Sequence, residues 1–400
     1  MLRTTTHLTC ELDSALGAAW RSAGGLKKFT CRAEALQYFA MLQVPLTLRS
    51  GVVLPNRVAL AAMTNGQSQA DGLLGDDELS WLESRAIGGF GLVTTCAAYV
   101  ARDGKAWDGE LGVDRDECLP GLTRLASAIS KHGSVGMVQL FHGGVRATQR
   151  LSGEQVWSAS TWQEDHEDFE TPRVATEADI LRTIENFAAA AERCEKAGFQ
   201  GVELHGAHGY LITQFLSPVT NTRTDDWGGD NAGRARFARE IMRAVKQRTS
   251  KKFSVGIRLS IEHGGHAKGL DLDESLQVAS WLAEDGADFI HASLWRSENM
   301  TRKRPSEHPI PLVRAALPKD VALIVAGNIW TYEDAQLAIE RGADVVALAR
   351  PAIPNPEWPK LAKPGFVPNT LPKSPAELAA VGISPTFLRY LRSFKNIVAE

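Results

Sequence analysis

Eight short apolar runs return along this chain with longer amphipathic stretches between them, and that repeat restricts the fold more than any other feature. The runs are VALAAM (58–63), GLVTTC (91–96), VGMVQL (135–140), GVELHG (201–206), VGIRLS (255–260), DFIHAS (288–293), ALIVAG (322–327) and DVVALA (344–349). Each is rich in Val, Ile, Leu and Ala and does not alternate with polar residues, the pattern of parallel strands buried on both faces. The stretches between them carry helical spacing and punctuation. Asp179 to Ala197 places Ile180, Ile184, Phe187, Ala188, Ala191 and Cys194 on one face and stops at Gly198. Asp273 to Asp285 stops at Gly286, and Thr331 to Arg341 stops at Gly342, with Thr331 and Asp334 placed as an N-cap and a first-turn acid. Eight β-then-α units predict an α/β protein of the (β/α)8 TIM-barrel class, because an open doubly wound sheet usually has fewer strands.

The repeat also divides the chain. Residues 45–363 are expected to form a single barrel domain, 1–44 an N-terminal extension with little order, and 364–400 a C-terminal tail. Met41 opens the segment that leads into the first strand, so a start at that methionine is an alternative. The Thr- and Arg-rich opening suits organelle targeting, but Glu11 and Asp13 weaken that reading. Residues 143–176 follow the third strand, lack a clear period and carry Trp157 and Trp162; they are expected to cap the barrel mouth.

Composition serves mainly to exclude. A net charge of -3 with scattered Lys and Arg gives no field for a nucleic-acid backbone. The five cysteines (Cys10, Cys31, Cys96, Cys118 and Cys194) form no C-x-x-C pair, so no metal site has its usual spacing, and free thiols are expected. No apolar run approaches the roughly 20 residues of a membrane span. Met1 to Cys10 lacks the apolar core of a secretory signal, and a cytoplasmic enzyme is the expectation.

In a (β/α)8 barrel the chemistry sits at the C-terminal ends of the strands. Strand three ends at Gln139 with His142 beyond it. Strand four ends in the run holding His205, His208 and Tyr210, strand five in Arg258, strand seven in Gly327 and Asn328, and strand eight in Ala349 and Arg350. The loops after strands seven and eight often hold a phosphate; Gly327 permits close backbone approach and Arg350 supplies a cation. His205 and His208 invite a metal reading with His142 as third ligand; Glu203, the nearest acid before the pair, precedes His205 by two and so lies on the same side of the strand. Two histidines and a tyrosine at one strand end are costly to bury without purpose. Such a set can hold a carbonyl oxygen by two donors while the phenol supplies a proton. Arg258 either pairs with an acid across the barrel or stabilises developing negative charge; the residues alone leave both open.

The segment HGAHGYLITQFLSPVTNTRTDDWGG (205–229) closely resembles the most characteristic stretch of the old yellow enzyme family of NAD(P)H:flavin oxidoreductases. PNRVALAAMT (55–64), VQLFHGG (138–144), VAGNIWT (325–331) and VALAR (346–350) resemble its other blocks in the right order, so the likeness runs over about residues 45 to 360. The resemblance implies FMN at the barrel mouth and a Ping-Pong cycle. NADH or NADPH reduces the flavin and leaves; an α,β-unsaturated carbonyl compound (an enone-type substrate) then takes hydride at its β-carbon. It further implies that Ala62, Met63, Thr64, Ala97 and Gln139 contact the flavin and that Arg258 faces its pyrimidine edge. Gly327, Asn328, Ala349 and Arg350 would hold the phosphate, His205 and His208 the substrate oxygen, and Tyr210 would protonate the α-carbon.

The chain departs from the family at Ala62, where Pro is frequent, at Ala349, where Gly is frequent, and at Asn65 and Gly66, where some members carry an aromatic residue. No cysteine follows Cys194, which argues against the relatives that add an iron–sulfur cluster. The tail SPTFLRYLR (384–392) resembles C-terminal tails in part of the family, where an arginine can complete a neighbouring subunit's pocket; Arg389 or Arg392 is a candidate for that, an exposed helix face is the alternative, and a homodimer is a hypothesis. Rival readings are a non-flavin barrel acting on a sugar phosphate, a flavin-binding protein without turnover, and a flavoenzyme acting on nitro compounds or quinones. The 143–176 loop and the surroundings of Trp295 are expected to set specificity.

Overall fold

The computed structural model describes residues 41–162 and 169–399. The expectations for residues 1–40, and for the part of the capping loop at 163–168, lie outside the described residues.

Each of the eight runs becomes a strand: β1 (Val58–Leu60), β2 (Leu92–Tyr99), β3 (Val135–Phe141), β4 (Gly201–Gly206), β5 (Ser254–Ser260), β6 (Phe289–Ser293), β7 (Ala322–Ala326) and β8 (Val345–Leu348). Neighbouring strands pair in parallel in chain order, and the sheet closes because β1 pairs with both ends of the series, Leu60 lying beside Val93 on one side and Leu348 on the other. The outer layer comprises α1 (Asp76–Ile87), α2 (Leu119–Ser130), α3 (Glu177–Lys196), α4 (Leu211–Leu216), α5 (Asn231–Arg248), α6 (Leu272–Glu284), α7 (Pro309–Ala316) and α8 (Tyr332–Glu340). The helix starts are written in the sequence. Thr176 with Asp179, and Thr331 with Asp334, form reciprocal capping boxes, and the Asp271 carboxylate accepts the first N–H groups of α6.

The inside of the barrel is a packed core. Ala59, Ala61, Leu92, Met137, Phe289, Ile324 and Val345 fill it, and the bottom is closed by a hairpin (Leu46–Thr47 with Val53–Leu54) that pushes Leu48 and Leu54 into the same cluster. Space is rationed there: a Cβ on Gly256 would stand 2.4 Å from the Phe289 ring, so the glycine is what admits the phenylalanine.

Three features differ from the expectation. β1 is shorter than its apolar run. Ala61 N–H still reaches the Leu348 carbonyl at 2.9 Å, but Ala62, Met63 and Thr64 leave the ladder and turn across the mouth. β2 is longer, and an irregularity between Thr94 and Ala97 reorients its upper half. Within the 143–176 segment a short parallel pair joins Trp157–Ser158 to Arg173–Val174, and Trp157 is buried with its Nε1 donating to Asp103 at 2.9 Å. The tail forms α9 (Pro375–Ala380) and α10 (Pro385–Leu391), which pack on the barrel of the same chain. Phe387 meets Trp81 edge-on at 5.0 Å, and the Ser384 hydroxyl donates to Gln67 Oε1 at 2.6 Å. Among the described residues no helix is long and apolar enough to cross a membrane.

Candidate active site

A buried polar layer lies across β3 to β6 just below the mouth. Gln139 sits beside Glu203, and Arg258 beside both His205 and His291, in the strand register. Residues paired in this way in parallel strands point to the same side, so all five groups meet inside the barrel. Glu203 uses both carboxylate oxygens. Oε1 accepts from Gln139 Nε2 at 2.7 Å and Oε2 from His291 Nδ1 at 2.6 Å. Burial alone would raise the Glu203 pKa, but His291, Arg258 and Gln139 together hold it below the ordinary value, so the group is a carboxylate. Burial pushes the His291 pKa down, leaving a neutral ring that gives its Nδ1–H to that carboxylate.

Arg258 is 7% exposed. Its Nη1 stands 3.4 Å from the Ala62 carbonyl and its Nη2 3.1 Å from Ser293 Oγ, while its Nε–H has no partner among the described residues. It makes no ion pair among those residues. The cross-barrel ion pair that the sequence left open is therefore not what Arg258 is for; Glu203 acts on it through the field alone.

Immediately above, β4 and the turn after it bring His205, His208 and Tyr210 together. The His205 ring centroid lies 5.1 Å from that of His208 and 4.9 Å from that of Tyr210. Phe141 closes on Tyr210 edge-on at 4.5 Å, with Trp107 behind it at 5.1 Å. His208 holds a left-handed backbone (φ 61°), unusual for a residue with a side chain. It is tied by its N–H to Ser260 Oγ (3.0 Å) and by its carbonyl to Arg146 Nη1 (2.8 Å). Burial, with Arg258 nearby, lowers the His205 pKa to about 3 and takes that of His208 well below the ordinary value, so both rings are neutral. Burial pushes the Tyr210 hydroxyl up to about 12, so it keeps its proton. The Ala207 N–H donates to His205 Nδ1 at 3.3 Å, which leaves the ring proton on Nε2. His142 does not join this group. It packs on Trp157 at 4.9 Å, with Nε2 3.4 Å from Asp103, so the three-histidine metal set does not assemble.

On the opposite rim Gly327 and Asn328 follow β7, and Ala349 and Arg350 follow β8. A Cβ on Gly327 would lie 2.8 Å from the Ser297 nitrogen, and Asn328 takes a left-handed φ of 56°. Both mark a tight strand-to-loop turn. Arg350 is exposed, and its guanidinium makes no hydrogen bond or ion pair among the described residues. Ala62 and Ala97 are buried while Met63 and Thr64 are half-buried. Trp295 stands on the rim and is 73% exposed.

Sequence reasoning missed four participants. Ser293 ends β6 just as Arg258 closes β5, so the strand-end rule applied once more would have found it. His291 and Glu203 looked like parts of an apolar strand and of a metal set. Tyr390, on α10, reaches the Thr64 hydroxyl, and no local pattern announces a contact between positions so far apart.

The residues present fit a flavin nucleotide. A buried guanidinium with an unused N–H suits a planar ring that carries carbonyl and ring-nitrogen acceptors, and the uncommitted Arg350 suits a phosphate tail. A (β/α)8 barrel with this mouth defines a nucleotide-cofactor oxidoreductase. The family described as NADH:flavin oxidoreductase / NADH oxidase matches residues 41–369. The chain is 36% identical over 329 residues to the probable NADH-dependent flavin oxidoreductase YqiG of Bacillus subtilis, covering 80% of this chain and 87% of that protein. It is 33% identical over 315 residues to the NADPH dehydrogenase of Halalkalibacterium halodurans, covering 78% and 91%. Among solved structures, morphinone reductase in complex with tetrahydroNAD superposes with a TM-score of 0.73 at 27% identity, covering 86% of this chain and 96% of that one. The chain belongs to the NADH:flavin oxidoreductase family, the old yellow enzymes, and is an NAD(P)H-dependent flavin oxidoreductase.

Proposed function

We propose that this oxidoreductase uses FMN, takes its reducing equivalents from NADH or NADPH, and reduces the C=C bond of α,β-unsaturated carbonyl compounds. The observation that carries the reading is the packing of two neutral histidines and a protonated tyrosine around one space at the barrel mouth, beside a buried arginine with an unused donor. The similar solved structure is of a morphinone reductase holding tetrahydroNAD, which makes a carbonyl substrate and a nicotinamide donor the natural first test here.

On this reading Gln139 and Arg258 hold the pyrimidine edge of the FMN, and Ala62, Met63, Thr64 and Ala97 line its ring. Gly327, Asn328, Ala349 and Arg350 hold its phosphate. When bound, the flavin supplies a hydride, received from NAD(P)H, to the substrate's β-carbon. His205 and His208 each direct one N–H at the carbonyl oxygen, where enolate charge develops; a well-placed donor of this kind contributes about 3 kcal/mol. Tyr210 delivers the proton to the α-carbon, and its hydroxyl, held up at about 12, is in the acid form throughout the working range. Phe141 and Trp107 exclude water from that side. Arg389 and Arg392 are exposed on α10 and remain accessible to a second copy, so the proposed homodimer keeps its candidates.

The test is an anaerobic visible spectrum of the purified protein, taken before and after NADPH and again after cyclohexenone. The expected result is a yellow protein that NADPH bleaches and the enone restores. Recovery with a quinone or nitro compound but not with the enone would move the substrate class. A colourless protein that ignores added FMN would end the proposal.

A further inference from the structure

We propose that Ser293 is a positioning residue that sets the tautomer of His208 and so decides which ring nitrogen presents its N–H to the substrate oxygen. The inference rests on the ene-reductase reading of the same pocket and adds a residue and a proton assignment to it.

Ser293 Oγ lies 3.1 Å from Arg258 Nη2 and 2.8 Å from His208 Nε2. A guanidinium can only donate, so Oγ accepts on the Arg258 side. The hydroxyl has one hydrogen, and no other partner among the described residues competes for it. It therefore goes to His208 Nε2, which must accept. His208 is neutral and owns a single ring proton, which this bond sends to Nδ1. The reverse arrangement, with Nε2–H donating to Ser293, would leave the serine hydrogen unused. It would also turn the Nδ1 lone pair towards an oxygen that gains negative charge.

The neighbouring ring is fixed the other way round. The Ala207 N–H occupies His205 Nδ1, so His205 keeps its proton on Nε2. The rings stand 5.1 Å apart at an interplanar angle of 80°. The pair thus offers two N–H groups from different nitrogens, each set by a separate partner. Serine also joins the two halves of the site: one hydroxyl touches the arginine assigned to the cofactor and the histidine assigned to the substrate. The main-chain ties from Ser260 and Arg146 already fix where His208 stands; Ser293 fixes which of its nitrogens carries the proton.

The experiment compares wild type, Ser293→Ala and Ser293→Thr by ¹⁵N chemical shifts of the histidine rings, with a His208→Gln sample to assign the signals. Phenol binding to the FMN-loaded enzymes is followed through the flavin spectrum. Wild type and Ser293→Thr are expected to show a neutral His208 with its proton on Nδ1. In Ser293→Ala the signal should shift to the Nε2–H form or a mixture, phenol binding should weaken about tenfold, and FMN should be retained. A histidine that keeps its Nδ1–H and its phenol affinity in Ser293→Ala would overturn the proposal, as would a Thr variant that behaves like Ala. Failure of wild type to take up FMN would defeat the ene-reductase reading instead, and the ring shifts of the flavin-free protein would still decide the role of Ser293.

Discussion

Glu203→Gln isolates the charge in the buried layer from its shape. The new amide keeps the side-chain volume. Either Gln139 can turn its own amide or His291 can move its ring proton to Nε2, and either change alone lets both short hydrogen bonds at 2.7 and 2.6 Å be rebuilt. What cannot be rebuilt is the negative charge, which favours the ionised form of the buried Arg258. Stranding one member of a buried charged pair costs about 3–5 kcal/mol. Glu203 and Arg258 interact without touching, so the loss belongs at the lower end, about 3 kcal/mol. The assay is urea unfolding of the flavin-free protein for wild type, Glu203→Gln, Arg258→Met and the double variant. With no cation left to strand, the glutamine should cost far less in the Arg258→Met background. A loss below about 1 kcal/mol, no more than an ordinary hydrogen bond contributes, or an equal loss in both backgrounds, would refute the charge argument.

Tyr210→Phe should keep FMN and its bleaching by NADPH but slow enone turnover about 10²–10⁴-fold; stopped-flow measurement of the oxidative half alone checks this, and an unchanged rate would assign the proton to another group. His205→Ala/His208→Ala should also retain FMN while losing phenol affinity and enone turnover, read by titration and steady-state kinetics; unchanged constants would remove both histidines from the substrate site. Acid should unfold the protein through these same rings. His205 titrates at about 3 when folded against an ordinary 6.5, so between those values the unfolded chain binds a proton that the folded one excludes. Stability is thus present above about 6.5 and falls as pH drops towards 3, by up to about 1.4 kcal/mol per pH unit for each excluded proton. Urea midpoints at pH 7 and pH 5 should differ less in His205→Gln than in wild type.

The barrel was legible because its cause is local. Each strand is an apolar run, α3, α6 and α8 start on a Thr or Asp with an acid in the first turn, and Thr331 with Asp334 behaves as its spacing implies. The strand-end rule then gathered His205, His208, Tyr210 and Arg258 without any knowledge of distances. What stayed hidden depends on neighbours remote in sequence. Nothing near Ser293 says that an arginine from β5 and a histidine from the β4 turn will share its hydroxyl. Trp157 read as part of a lid because its segment has no period, yet the Asp103 carboxylate draws its indole N–H inward and buries it. The tail offered two arginines as candidates, whereas the residue that reaches the mouth is Tyr390, carried there by the packing of Phe387 on Trp81.

The hairpin beneath the barrel has a consequence for traffic. With Leu48 and Leu54 stoppering the bottom and side chains filling the interior, the described residues leave the mouth as the way in. On the proposed function the nicotinamide donor and the compound to be reduced would both use it, and both would need the same ring. They would therefore queue: one would have to vacate before the other could enter. An excess of either should then jam the entrance against the other, and the proposed alternation of the two half-reactions would be imposed by architecture before any chemistry begins.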